Sequence, residues 1–469
     1  MRSSKFRVHI TPAHVALGRR HAALFASCLL TAACGSSSSP PSGSAGGGGG
    51  GASGSAGNSA LAGSANGVAG SSAGAGGQLA TAGAGAMGGG GASGGGAGQA
   101  GAAATGGGGG GVAGSGATGL TPQAQEAVKL MSPGWNLGNS FDATPNETSW
   151  GNPTPTQSFI AAVHTAGFKT LRLPVTWSDH LGPGPTYTID SAWMTKVKQT
   201  AQWAVDAGMY VFVNTHHEAD GGSGGGWVSF PQATSDAMKV AAEVTAVWTQ
   251  IATAFKSADP RLMFECFNEP NEAGGGNTPQ AQADLNLYLE ACVKAIRATG
   301  GANATRLVMI QPVGASPIQA GIQSMLKASI ITDPNLLISL HTYYPVNFGL
   351  STTPYAWGSA ADYTSMRDSV SKEIRVWLPT QPVFIGEWGS QGAQTTSNRA
   401  AHALAYAQDT TAGGLVPIWW DNGGSGSGSF GLFDRKTGSP TFPTVLSGLM
   451  TGVKNGLAAP NSWAMPGSP

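Results

Sequence analysis

Two apolar stretches of the chain each run into a glutamate. Leu262-Met263-Phe264-Glu265-Cys266-Phe267 leads to Asn268-Glu269-Pro270, and Val383-Phe384-Ile385-Gly386 leads to Glu387-Trp388-Gly389. A carboxylate beside an apolar strand is costly unless it is paired or put to use. One such glutamate is as readily a structural ion pair as a working group, but two at matched places suggest a shared task. A protonated carboxylic acid and an ionised carboxylate facing one bond are what glycoside hydrolysis needs. The first serves the leaving oxygen and the second the anomeric carbon. Glu269 and Glu387 are the candidate pair.

Polar residues stand at the ends of other apolar runs. Arg172, in Leu171-Arg172-Leu173-Pro174, is placed to neutralise and orient a carboxylate, and Asn268 can hydrogen-bond a sugar 2-hydroxyl. His216 follows Asn214-Thr215, and His341 and Tyr343 follow Ser339-Leu340. Trp420 precedes Asp421-Asn422-Gly423, and an indole face stacks on a pyranose ring. Taken singly, each histidine is more often a satisfied buried residue and each tryptophan more often core. Their shared position at run ends is what joins them.

That position implies a particular set of elements. Apolar runs lie at Gly134–Gly138, Thr170–Val175, Met209–Asn214, Leu262–Phe267, Leu307–Gln311, Leu336–Leu340, Val383–Gly386 and Val416–Trp420. Several are continuous rather than alternating, as parallel strands covered on both faces are. Between them, Val240, Val244, Trp248, Ile251 and Phe255 recur at helical spacing, as do Met194, Val197, Ala201 and Ala204. Eight strands alternating with helices predict an α/β fold, a (β/α)8 TIM barrel, with its chemistry at the C-terminal strand ends. An open doubly wound sheet is the main alternative, but no Gly-x-Gly-x-x-Gly follows the first run. By strand count the two glutamates close the fourth and seventh strands, which face one another across a barrel mouth.

The rest of the chain divides sharply. Of 469 residues, the first 120 carry five basic side chains and no acidic one; residues 121–469 carry 19 basic and 24 acidic ones and all 13 tryptophans. A mildly acidic, tryptophan-rich domain is a poor match to nucleic acid, so no nucleic-acid partner is expected. Residues 1–34 read as an export signal. Arg2, Lys5, Arg7, Arg19 and Arg20 lead into apolar Ala22–Ala33, and the segment ends Ala32-Ala33-Cys34-Gly35. It resembles a bacterial lipoprotein signal with Cys34 as the lipidated residue, although Thr31 sits where that pattern prefers an aliphatic. Plain secretion is the alternative. Residues 35–120 are nearly all Gly, Ala and Ser and read as a disordered tether spanning roughly 50 Å root-mean-square. The expected product is exported, secreted or held at the outer membrane or cell surface by the lipid alone, and monomeric. Cys266 and Cys292 are expected to be buried free thiols, and no Cys-x-x-Cys pair is present.

Set side by side, Gly134-Trp135-Asn136-Leu137-Gly138-Asn139-Ser140-Phe141-Asp142, Arg172-Leu173-Pro174-Val175, Asn214-Thr215-His216-His217-Glu218, Phe264-Glu265-Cys266-Phe267-Asn268-Glu269-Pro270, His341-Thr342-Tyr343-Tyr344-Pro345, Ile385-Gly386-Glu387-Trp388-Gly389 and Trp420-Asp421-Asn422-Gly423 resemble glycoside hydrolase family 5, especially its bacterial cellulases. The likeness runs from about residue 130 to 450 in family order. It implies a retaining, endo-acting hydrolase of β-1,4-glucan, with no cofactor and no metal. It further implies Glu269 as acid/base, Glu387 as nucleophile, and Arg172, His216, Asn268, His341, Tyr343 and Trp420 as substrate-binding residues. Asn271 departs from the family, where an Arg often follows the Pro. Xyloglucan, mixed-linkage glucan and mannan are alternative substrates.

Three other readings are open to the same residues. His216-His217-Glu218 suggests a metallohydrolase, but neighbours on a strand point to opposite faces and His-Glu-x-x-His is absent. Gly221-Gly222-Ser223-Gly224-Gly225 matches a serine-hydrolase elbow only formally, with no strand directly before it. A tethered carbohydrate-binding or adhesin module would keep its tryptophans yet need neither glutamate nor Arg172.

Overall fold

The computed structural model describes residues 120–219, 226–231, 233–272 and 276–459. The export signal, Cys34, the tether up to residue 119 and the Gly221–Gly225 stretch lie outside the described residues.

Eight strands form the centre: β1 (Gly134–Asn136), β2 (Thr170–Leu173), β3 (Tyr210–Asn214), β4 (Leu262–Glu265), β5 (Val308–Ile310), β6 (Leu336–His341), β7 (Val383–Trp388) and β8 (Leu415–Trp419). All are parallel. Each pairs with the next, and β8 pairs back to β1, so the sheet is a closed barrel with no free edge. Each of the eight apolar runs forms one strand, although β6 extends one residue beyond its run, β7 two, and β8 begins one residue before its run.

Helices follow the strands because the intervening sequence is amphipathic and has defined start signals. Thr156, Asp190, Thr278 and Thr395 cap the helices Gln157–Thr165, Ser191–Asp206, Pro279–Ala298 and Thr396–Ala412, each accepting a backbone N–H from the first turn. In the helix Thr234–Ala254, Val240, Val244, Trp248 and Ile251 are buried, which is the stripe expected from their spacing. Outward-facing strand residues such as Leu171, Leu173, Val211, Val213 and Phe264 pack beneath these helices in one large apolar cluster.

The barrel interior is a separate apolar layer. Phe212, Met263, Met309, Leu337, Phe384, Val416 and Ile418 meet inside, and Ala127, Val128 and Met131 of the helix Pro122–Met131 close the layer from the N-terminal end.

Cys266 and Cys292 are joined by a disulfide rather than being free thiols. Cys266 lies directly after β4, and Cys292 lies on the following helix, Pro279–Ala298. The β4-to-helix packing brings their Cα atoms to 6.1 Å, within the range a disulfide spans. An apolar setting signals burial for either thiol form, so sequence context alone could not reveal the pairing.

Candidate active site

Strand alternation turns the apolar floor into a polar mouth. Residues two apart on a strand share a face, so Phe212 and Asn214 on β3 both point inward, as do Met263 and Glu265 on β4 and Leu337, Ser339 and His341 on β6. One layer above the floor, the interior side chains become Asn136, Arg172, Asn214 and Glu265, all fully buried. Arg172 ties this layer together. Its Nε donates to Glu265 Oε2 at 2.6 Å, Nη1 donates to Glu387 Oε1 at 2.8 Å and Asn136 Oδ1 at 3.0 Å, and Nη2 donates to Asn268 Oδ1 at 2.8 Å. Burial alone would make this guanidinium easier to deprotonate. The charges of Glu265 and Glu387 outweigh that effect and hold it firmly cationic.

Glu387 reaches the mouth because β7 breaks register on both sides. The pairing shifts between Leu340 and His341 on β6, and between Ile385 and Trp388 on the β8 side. A β-bulge of this kind re-aims a side chain. Gly386 permits it: a Cβ there would come within 2.6 Å of Ser339 Oγ and 2.9 Å of His341 Nε2. Glu387 then accepts from Arg172 on one oxygen and from the Tyr343 hydroxyl, at 2.8 Å, on the other. Burial pushes the Glu387 carboxyl above the usual glutamate value. The neighbouring His341, the Arg172 guanidinium and the Tyr343 hydrogen bond oppose the rise, while the nearby Glu269 adds to it. Tyr343 is pushed well above the ordinary tyrosine range by burial and by both glutamates, so its hydroxyl keeps its proton and donates.

Glu269 stands four residues beyond the end of β4, with its side chain 22% exposed against 8% for Glu387. His341 Nδ1 lies 2.7 Å from Glu269 Oε1 and 3.8 Å from Glu387 Oε2. One oxygen from each glutamate and a His341 nitrogen all lie within 4.8 Å of one another. The two carboxylates therefore face a common point across the mouth.

The remaining residues flagged in the sequence converge on the same place. His216 is buried, its Nδ1 lies 3.3 Å from Asn214 Nδ2, and its ring stacks on Trp420 with centroids 5.7 Å apart and planes 5° from parallel. Trp420 in turn lies against Gly138, where a Cβ would come within 2.8 Å of the indole. His216 is held well below the usual histidine range, first by burial and then by its neighbours His217, Arg172 and His341. Burial brings His217 down to about 4.

Opposite-face pointing of His216 and His217 would hold only inside a strand. β3 ends at Asn214, and beyond it the two rings lie edge to face, 4.5 Å apart. Together with Asp142 they offer metal-type donor atoms within 4.8 Å of one another. Asp142 already accepts from the Asn139 and Ser140 amides at 2.9 and 2.8 Å, and burial raises it to about 6.

Several working parts of the mouth were not picked out from the sequence. Glu265 reads as part of an apolar run, although its place two residues after inward-facing Met263 gives its direction. Asp421 is fully buried and accepts from Trp135 Nε1, Gly423 N, Leu432 N and Arg435 Nη2, which fixes the loop that begins at Trp420. Glu218, raised to about 7 by burial, accepts from the Trp177 amide and the Ser178 hydroxyl and braces the mouth wall.

Residues 136–426 match the family described as Cellulase (glycosyl hydrolase family 5). Endoglucanase B of Clostridium cellulovorans is 38% identical over 342 residues, covering 70% of this chain and 76% of that relative. The chain belongs to glycosyl hydrolase family 5. It is therefore an enzyme, a glycoside hydrolase, and the non-catalytic binding module is set aside. Solved structures within family 5 superpose on the barrel. A GH5-4 broad specificity endoglucanase from Clostridium acetobutylicum matches at 34% identity and a TM-score of 0.65, covering 70% of this chain and 98% of its own. A family 5 xyloglucanase from Paenibacillus pabuli matches at 30% identity and a TM-score of 0.63, covering 70% and 99%.

Proposed function

We propose that the chain is a retaining, endo-acting β-1,4-glucanase in which Glu387 is the nucleophile and Glu269 the acid/base. The observation that carries this reading is the approach of the two carboxylates, with an oxygen of each within 4.8 Å. Retaining enzymes hold their carboxyl groups about 5–5.5 Å apart, whereas inverting enzymes leave roughly 6.5–9.5 Å for a water. An oxygen-to-oxygen approach this close supports the retaining arrangement.

In the first step Glu387 attacks the anomeric carbon while Glu269 gives its proton to the departing glycosidic oxygen. In the second, Glu269 takes a proton from the water that releases the glycosyl ester. Arg172 and the Tyr343 hydroxyl hold the two Glu387 oxygens, so the carboxylate needs little rearrangement to reach the transition state. The Asn268 amide oxygen is committed to Arg172. Its NH2 is what remains to donate to a sugar 2-hydroxyl. Trp420, braced by His216 and Gly138, supplies a stacking face, and His341 orients Glu269. No step calls for an ion or a cofactor.

Substrate identity draws on the relatives. The Clostridium cellulovorans protein is an endoglucanase, and two of the matching structures are a broad specificity endoglucanase and a xyloglucanase. We read β-1,4-glucan as the main substrate and xyloglucan as the second. Residues 1–34 are read as the export signal, Cys34 as a lipidation site and residues 35–120 as a tether for a monomeric, surface-held or secreted enzyme. The Cys266–Cys292 disulfide supports a chain that folds outside the reducing cytoplasm. Among the described residues no helix is long and apolar enough to cross a membrane.

The test is hydrolysis of carboxymethylcellulose, mixed-linkage glucan, xyloglucan and mannan by the full chain, following viscosity and reducing ends together. A viscosity fall that outruns reducing-end release on the glucans is expected. Release of only monomer or dimer from chain ends would contradict endo action, and activity on mannan alone would contradict the substrate.

A further inference from the structure

Arg172 is paired with a second carboxylate besides Glu387, one that neither chemical step uses. Glu265, the last residue of β4, is fully buried beside Arg172, and its Oε2 accepts from both Arg172 Nε at 2.6 Å and Asn214 Nδ2 at 3.0 Å. Its other oxygen has no hydrogen-bond partner among the described residues. A buried charge is expensive to keep even when paired, and a neutral side chain could accept the Arg172 Nε bond. The charge itself therefore needs an explanation.

Two consequences follow from where it sits. The first is geometric. The Nε–Glu265 bond fixes the guanidinium plane at one edge, which leaves Nη1 facing Glu387 and Nη2 facing Asn268. The second is electrostatic. Arg172 carries one positive charge and pairs with two buried carboxylates, Glu265 and Glu387. With Glu265 neutral, Glu387 would have that charge to itself. An opposite charge stabilises the ionised form of a carboxylate, and a more stabilised carboxylate is a weaker nucleophile.

We propose that Glu265 is a positioning residue that divides the charge of Arg172 and sets its plane, keeping Glu387 both aimed and reactive. This rests on the reading of Glu387 as nucleophile. The other charged or titratable groups that face Glu387 are His341 and Tyr343 from the β6 side, Glu269 after β4, and Asp142 after β1. None of them hydrogen-bonds Glu265, whose partners are Arg172 and Asn214, so Arg172 is the bonded link from Glu265 to Glu387.

The experiment uses the full chain and an activated 2-deoxy-2-fluoro-β-cellobioside bearing dinitrophenolate. The Glu387 carboxylate displaces the dinitrophenolate and remains as a slowly hydrolysed glycosyl ester. The labelling rate is followed against pH in wild type, E265Q and E265D, alongside kcat and KM on a cello-oligosaccharide. Only folded sites are labelled, so the rate constant does not depend on the folded fraction. In E265Q the acidic limb of the labelling profile moves to lower pH, and kcat falls on the order of tenfold to a hundredfold with KM little changed. In E265D the charge remains but the reach is shorter, so kcat falls while the limb stays at its wild-type pH. An unmoved limb in E265Q overturns the proposal whatever kcat does. Should E265Q give no folded protein, a wild-type kcat in E265D overturns it instead. If the wild-type label forms on a residue other than Glu387, the nucleophile assignment fails, and that result is distinct from either of these.

Discussion

At the floor of the barrel, Phe212, Met263, Leu337 and Phe384 fill the interior with no polar atom among them. One residue pair further along the same strands, the interior is occupied by Asn214, Glu265, Ser339 and the ions around Arg172. The two layers share a backbone and a degree of burial, and differ only in side-chain chemistry. The floor gains stability directly from buried apolar area. The mouth buries charge, which costs stability unless every partner is in place, and so the hydrogen bonds of Arg172 leave each of its three nitrogens occupied. A barrel of this kind uses the packing of one layer to hold a costly arrangement in the next.

The contrast predicts effects of different kinds at the two ends. The largest is at the mouth: Glu387→Gln should lower kcat on soluble glucan on the order of 10⁴-fold or more while the thermal midpoint stays close to wild type. A variant that lost stability instead would place Glu387 among the structural residues. At the floor the pattern reverses. Phe384 is fully buried and packs edge to face on Phe212 with centroids 5.3 Å apart. Phe384→Ala should cost about 3–5 kcal/mol in denaturant unfolding, with kcat per folded molecule little altered.

Smaller effects fall between the layers. Cys292→Ser opens the bridge that ties the residue after β4 to its helix, and a closed loop of this length is worth about 3 kcal/mol. A Cys292→Ser protein that unfolds at the wild-type denaturant concentration would show that the bridge adds nothing. The smallest is a pH effect. Glu218 holds its proton up to about 7 in the folded chain, against an ordinary value of 4.5. Between those pH values the folded state binds a proton that the unfolded state has released, so this group's contribution to stability falls as pH rises. Glu218→Gln removes the dependence. Its stability relative to wild type should improve from pH 4.5 to 7 and level off above, as measured by urea unfolding at a series of pH values.

Which parts of this were legible in the sequence follows from the range of the physics involved. Strand runs and helical stripes are local patterns, so all eight strands and the stripe over Val240–Ile251 could be read directly. Glu269 and Glu387 could be paired only because strand number fixes position around a closed barrel. Glu265 was hidden inside its own apolar run, where period-two alternation from Met263 was the one available signal. The Cys266–Cys292 bond depends on how a strand end meets the helix after it, a distance that neither cysteine's neighbours encode. The adjacency of His216 and His217 arises because β3 stops at Asn214, and a strand boundary one or two residues away reverses which side chains meet.

The most direct test of the central claim, two close carboxylates acting by double displacement, is the anomeric configuration of the first product. Proton NMR in deuterated water, recorded on a cello-oligosaccharide within the first minutes of cleavage, distinguishes the two anomers before mutarotation mixes them. The account predicts that the β-anomer appears first and the α-anomer grows in later. Initial release of the α-anomer would contradict it.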